Sequence, residues 1–360
     1  MGWMLPVGIS FYTFMAIGYL VDVNNEEVAV EKNIGTVGLF LSFFPIVLSG
    51  PIERAGNMFS QFKNLNRSTP GDLTAGAKMM LWGYFMKLCV ADRLGLYVDA
   101  VFGNVVHHNG TTLLFASCLH PIRVYADFAG YSILAMGVAR CMGIKIIENF
   151  HRPFFATSMS EFWQRWHISL INWITDYIYT PLTFAFRKWK IWGIVVSIML
   201  AFFVSGVWHG AAWTYIAWGV IQGIYLSIEA LTKTSRINFE NKNKLVGRWW
   251  YTLICCIIVF ILFAFSQIFG HCTDLKEAGV VIGKIFGEGI GTPYLQRRDL
   301  LYAFSCGVLL FAKDFCDEFK PSITVLNSKK KWLRYVSYYA IVLIILELMA
   351  NSQSFIYFKF

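Results

Sequence analysis

The feature that most constrains this chain is a histidine, His209, set between two apolar runs at 191–208 and 211–231. Each run is long enough to approach or complete a bilayer crossing, which takes about 20 mostly apolar residues. Hydrocarbon penalises a charge at a helix centre by roughly 2.5 kcal/mol or more. A chain that keeps an imidazole at membrane depth therefore uses it or encloses it in a polar cavity. Two readings follow for His209. One is a general base that takes a proton from a hydroxyl, poised because histidine ordinarily titrates near pH ~6.5. The other is a buried ring bonded to a backbone carbonyl that ties two helices together. Gly206 and Gly210 flank it and permit close backbone approach.

Composition extends this reading to the whole chain. The 360 residues are 56% hydrophobic and only 15% charged, against about 25% charged in soluble domains. That marks an all-α, polytopic membrane protein, with 1–360 read as a single integral-membrane domain. The net charge of +9 comes largely from short basic stretches between apolar runs: Arg187, Lys188 and Lys190; Lys233, Arg236, Lys242, Lys244 and Arg248; Lys329, Lys330, Lys331 and Arg334. Successive stretches are separated by two candidate spans. All three therefore fall on one face, which the positive-inside rule makes cytoplasmic. No single basic face or reader motif suggests nucleic acid. The eight cysteines form no CxxC, and there is neither HExxH nor a Walker sequence. No metal or nucleotide site is expected.

Candidate membrane segments lie at 4–23, 34–50, 75–102, 112–144, 191–208, 211–231, 249–269, 299–315 and 333–350, giving roughly eight or nine spans. Two carry internal charge: 75–102 holds Lys78, Lys87, Asp92 and Arg93, and 112–144 holds His120, Pro121, Arg123 and Asp127. These are expected to be broken, re-entrant or turned toward protein. Asp127 needs a partner there, and Arg123 and Arg140 are its neighbours in sequence.

The stretch 151–181 is too polar to span yet rich in aromatics. Ser158 and Glu161 have capping-box spacing, which predicts a helix start, and Pro181 predicts its end. Trp163, Trp166, Leu170, Trp173 and Tyr177 would share one stripe of that interfacial helix. Glu161 and Arg165 form an i,i+4 pair. His167 falls at the edge of the stripe, among Arg165, Asn172, Thr175 and Asp176.

Several blocks together resemble the membrane-bound O-acyltransferase (MBOAT) family, in its bacterial branch of alginate O-acetyltransferase and teichoic-acid D-alanyl transfer proteins. They are Pro6–Phe14 with Tyr19–Asp22, Ser42–Arg54, Tyr125–Ser132, Asn149–Phe154, Ser160–Leu170, the Trp208-His209-Gly210 block, and Phe355–Phe360. The resemblance implies a ring of transmembrane helices around a central funnel or tunnel, here without the N-terminal helices of relatives. It implies His209 as the catalytic residue and His167 as its partner. Trp208, Arg165, Trp166, Asp127 and Asp176 become candidates for the substrate tunnel. It further implies O-acetylation of a cell-surface, alginate-like polysaccharide at a multi-pass site in the cytoplasmic membrane. The co-substrate would be an acyl thioester, acetyl-CoA or an acyl carrier protein, with no bound cofactor. A partner extracytoplasmic acetyltransferase is expected, besides the bilayer and the polysaccharide acceptor. A transporter or flippase, or a non-catalytic scaffold, stays open as an alternative, since broken helices with internal charges also build transport sites.

Overall fold

The computed structural model describes residues 8–64, 67–321 and 326–350; the terminal block Phe355–Phe360 lies outside them. Among the described residues the architecture is all-α, with no strand and one isolated bridge, Phe150 to Trp166.

The chain opens with α1 (Ile9–Asn24), α2 (Ile34–Leu41), α3 (Phe44–Val47) and α4 (Ala55–Lys63). The apolar run 34–50 is thus divided. Pro45 is accommodated in the first turn of α3, the one place where its missing N–H costs nothing. A capping box between Thr69 and Asp72 starts α5 (Pro70–Tyr84), which passes through a π-helical stretch, Phe85–Ala91, into α6 (Asp92–Phe102). Of the forms expected for this segment (broken, re-entrant or turned toward protein), the structure shows the last: it is a helical rod throughout, with Lys87 and Asp99 facing its partner, α7 (Gly110–Cys141). That partner is a single helix of 32 residues that Pro121 does not interrupt.

Rod and partner explain each other's charges. Lys87 lies 2.8 Å from Asp92 and 2.6 Å from Asp127, with those carboxylates 2% and 4% exposed. Arg123 pairs with Asp99 at 2.6 Å and Arg140 with Asp72 at 2.7 Å. Asp127 is therefore neutralised by Lys87 rather than by either arginine near it in sequence. The two backbones touch at small residues, as close helix packing in membranes requires. A Cβ on Gly83 would sit 2.7 Å from the Gly130 carbonyl oxygen, and one on Gly76 would sit 2.5 Å from that of Gly137.

The middle of the chain folds as α8 (Met159–Arg165), α9 (Ile168–Ile174), a π turn at Thr175–Tyr179 and α10 (Thr180–Ala185). Long helices follow: α11 (Ile191–His209), α12 (Trp213–Lys242) and α13 (Trp249–His271), then α14 (Leu275–Gly287), α15 (Arg297–Phe319) and α16 (Lys331–Leu348). Among the described residues only α11 and α13 are long and apolar enough to cross a membrane on composition alone. The expected eight or nine spans are not reached by that measure, which the other segments miss through helix length, hydropathy or charge.

Two buried clusters form the core. The larger joins the α5–α6 rod, α7 and α8 to α13, α14 and α15; the smaller joins α1 to α4 with α9.

Removing one partner from a buried ionic cluster leaves uncompensated charge, at a cost of about 3–5 kcal/mol. Lys87→Ala is therefore expected to lower the thermal unfolding midpoint in detergent sharply. Combining it with Asp92→Asn and Asp127→Asn should recover most of the loss, as a fluorescence melt would show.

Candidate functional site

The site begins at a broken helix. Ser158 starts α8 by accepting from the Glu161 N–H at 3.1 Å, as its spacing predicts. Glu161 does not close the box. Its carboxylate accepts from the N–H and hydroxyl of Thr157 at 2.8 and 2.7 Å, and from Arg165 at 2.6 Å. The helix does not run on to Pro181. It ends at Arg165, and His167 adopts a left-handed backbone, φ 46 and ψ 52, before α9 begins. Pro181 lies in the first turn of α10 rather than at a helix end. The aromatic stripe expected of this segment packs inward: Phe162, Trp163, Trp166 and Leu170 are all buried. It is a core element anchored from three sides. Glu229 of α12 accepts from the Met159 N–H at 2.8 Å. Trp163 donates to Gln222 at 3.2 Å, and Gln222 donates to Ser266 at 2.6 Å. Arg165 and Arg152 both reach Glu318 of α15.

Asn149 holds the break in place. Its Oδ1 accepts from the Ser169 N–H at 3.1 Å and the Ser169 hydroxyl at 2.9 Å. Its amide nitrogen donates to Ser132 at 3.3 Å. His167 Nδ1 stands 3.1 Å from the same Oδ1. A backbone N–H can only donate, so the atom facing Ser169 is the oxygen. The His167 nitrogen that meets it must then carry the proton. His167 is thereby fixed as the Nδ1–H tautomer, with the lone pair on Nε2.

His209 is the last residue of α11. Its approach to α12 depends on missing side chains: a Cβ on Gly206 would lie 2.5 Å from the Tyr215 carbonyl oxygen, and one on Gly210 would lie 2.6 Å from the Tyr215 ring. The His209 ring packs against Trp218 at 4.9 Å and Trp208 at 4.8 Å between centroids. Trp208 stacks on Phe14 of α1 at 5.3 Å and lies 6.3 Å from His167.

The two histidines line one cavity of about 360 Å³, together with Trp163, Trp166, Trp218, Thr214 and Tyr215. That volume suits a small ligand. A second cavity of about 240 Å³ is lined by Asn149, Ser132, Lys78 and Lys313. The bonded pair Asn149 and His167 thus contributes one residue to the wall of each cavity.

Of the tunnel candidates, Trp166 lines the histidine cavity and Trp208 packs beside both histidines. The other three are placed elsewhere. Arg165 is consumed by Glu161 and Glu318. Asp127 is bound to Lys87. Asp176 pairs with Arg54 at 2.7 Å in a separate small pocket with Glu53. Sequence reasoning missed Asn149 and Ser169 as holders of His167, and it missed His120 and His271, which line the same cavity. Asn149 and His120 were visible as polar residues beside or inside apolar runs. His271, at the end of α13, carried no such signal. Among the described residues no His, Cys, Asp and Glu group has the makings of a metal site, and His107–His108 lies in a 3₁₀ turn and the residue after it.

An all-α protein with two histidines on one cavity inside a helical core is the class that this geometry defines. The chain belongs to MBOAT, the membrane-bound O-acyltransferase family, whose model matches residues 33–268. It is 34% identical over 286 residues to the probable alginate O-acetylase AlgI of Pseudomonas syringae, covering 79% of this chain and 52% of that protein. Against the peptidoglycan O-acetyltransferase of Helicobacter pylori it is 26% identical, over 99% of this chain and 75% of that one. Against the teichoic acid D-alanyltransferase of Streptococcus thermophilus it is 30% identical, over 75% and 69%. The chain therefore spans about half the length of the P. syringae relative.

If Asn149 fixes the tautomer, Asn149→Ala should release it. Nitrogen-15 NMR of histidine-labelled protein is expected to show His167 as the Nδ1–H form in the parent and as a mixture of tautomers in the variant. A single unchanged tautomer would contradict the assignment.

Proposed function

We propose that the protein is a multi-pass O-acyltransferase of the cytoplasmic membrane that moves an acetyl group from a thioester donor to a hydroxyl of a cell-surface polysaccharide. The observation that supports this reading is the pair of histidines, His167 and His209, on one buried cavity, with Asn149, the partner of His167, lining a second. The relatives support it, since their names speak of O-acetylation of alginate or peptidoglycan and of D-alanyl transfer to teichoic acid.

Sidedness follows from the basic stretches. Lys190 precedes α11 and Arg248 precedes α13, so both helices start at the basic face. Their far ends, His209 and His271, line the same cavity. Under the positive-inside rule that cavity belongs to the extracytoplasmic half, and it would take the acceptor. The second cavity, with Lys78 and Lys313, would take the donor from the cytoplasmic half. Lys313 is held by Asp317 at 2.6 Å, so Lys78, which meets the Asn327 side-chain oxygen at 3.0 Å, is the cation suited to a phosphate of acetyl-CoA or of a carrier-protein arm. A partner transferase on the outer face would receive or position the acceptor.

Helix ends support a division of roles between the two histidines. His209 sits at the C-terminus of α11, where unsatisfied carbonyls favour positive charge; His167 sits at the N-terminus of α9, where N–H groups oppose it. His209 is thus the base. It takes the hydroxyl proton as the oxygen attacks the thioester carbonyl carbon. The tetrahedral intermediate collapses with cleavage of the C–S bond, and the proton passes from His209 to the departing thiolate. Ester and thiol result, with no net proton consumed. His167 stays neutral and orients the reacting groups by accepting at Nε2. A thioester is reactive enough for this step once the hydroxyl is positioned and deprotonated.

Replacing the base should cost about 10²- to 10⁴-fold in rate. His209→Ala in the full-length protein is expected to lose acetyl transfer from acetyl-CoA by that factor while keeping its yield and thermal unfolding midpoint. Normal surface O-acetylation by folded His209→Ala would overturn the assignment.

A further inference from the structure

We propose that His120 and His271 form an acceptor subsite that holds a saccharide by its neutral hydroxyl groups; the proposal rests on the transfer reading above. Both residues line the cavity of His167 and His209, but from other elements: His120 from the middle of α7 and His271 from the end of α13. His120 is 4% exposed, and its Nδ1 has no hydrogen-bond partner among the described residues. Leaving such a group dry costs about 1–3 kcal/mol. Its ring is not loose. It packs on His271 at 4.4 Å between centroids, and His271 in turn meets the edge of Phe102 at 4.4 Å. His120 thus contributes to the cavity wall a fixed imidazole with one unpartnered nitrogen, suited to a polar ligand atom.

The charges around the pair decide what that ligand is. Arg123 also lines the cavity, but both of its terminal nitrogens are held by Asp99, at 2.6 and 2.9 Å. Its guanidinium rests in a space left by Gly95, where a Cβ would come within 3.2 Å of Nε. The cation is locked and its charge is already balanced. A carboxylate entering here would find no spare counter-charge, and an acyl chain would leave His120 unsatisfied. Hydroxyls, which donate and accept at once, match the imidazoles and the nearby Gln267 and Thr273. The subsite therefore reads the hydroxyl edge of a sugar ring and is indifferent to an acidic substituent.

Calorimetric titration of the full-length protein with a neutral trisaccharide and with its uronic acid counterpart of the same hydroxyl stereochemistry tests this. Both should bind the parent with comparable affinity. His120→Ala and His271→Ala should each weaken binding about tenfold and raise the acceptor KM more than they lower kcat. His120→Gln, which keeps a hydrogen-bonding group, should recover most of the affinity and carries the test if His120→Ala fails to fold. Unchanged saccharide affinity in both alanine variants would overturn the proposal. So would strong preference for the uronic acid form, or acceptance of a serine peptide with no saccharide bound. Acetyl-CoA consumption by the parent separates the two claims. Saccharide binding that depends on His120 in a protein that consumes no thioester would defeat the transfer reading and leave the subsite standing.

Discussion

The arrangement of this site depends on one side-chain amide. Asn149 gathers the Ser169 N–H, the Ser169 hydroxyl and the His167 ring on a single oxygen. The Asn149 carbonyl accepts from the Ile168 N–H at 2.9 Å, and the His151 N–H donates to the Arg165 carbonyl at 2.8 Å. These bonds lash an extended segment to the gap between α8 and α9. They stabilise a left-handed residue that costs roughly 1–2 kcal/mol for any L-side chain. Without them α8 and α9 would merge, and His167 would point wherever the stripe of Trp163 carried it. The break turns the imidazole out of that stripe and into the cavity.

The same logic runs through the rest of the interior. A membrane core offers no water to solvate charge, so polar groups must answer one another. Lys87 answers Asp92 and Asp127, Arg123 answers Asp99, and Arg152 and Arg165 answer Glu318. Apart from Lys87–Asp92, which lies within the rod, these pairs cross between elements and fix how α7 sits on the α5–α6 rod and how α8 sits on α15. Charges that look like tunnel candidates along the sequence are in this way spent on architecture. Around the two histidines the cavity wall is made of imidazoles, indoles, hydroxyls and an amide, and its one arginine, Arg123, is already balanced by Asp99.

This division explains what could be read from the sequence. Composition and the apolar runs give an all-α membrane protein, and the helices lie close to the predicted segments. His209 and His167 are legible as imidazoles in apolar surroundings, and the structure brings them to one cavity. Their family motifs sharpen that reading. Three things were not legible. The break at His167 follows from a distant asparagine, not from any local breaker, since Trp166-His-Ile-Ser169 contains neither Gly nor Pro. The persistence of α7 through Pro121 reflects packing on the rod, which local propensity does not describe. The partner of Asp127 lies on another helix, so proximity in sequence pointed to the wrong residues.

The placement of the two histidines at opposite kinds of helix end bears on why there are two. A lone imidazole serving as base must become cationic in a medium that resists charge. On the proposed reading, the carbonyl end of α11 offers His209 partial negative charge when the proton arrives. A second cation next to it would cancel that advantage. Asn149 prevents this without supplying charge of its own, because an amide oxygen keeps Nδ1 protonated and leaves His167 neutral. An aspartate at the same position would draw His167 toward the imidazolium and set like charges against each other across the cavity. The choice of asparagine at position 149 therefore bears on the environment of the proposed base, although it touches only the neighbouring ring.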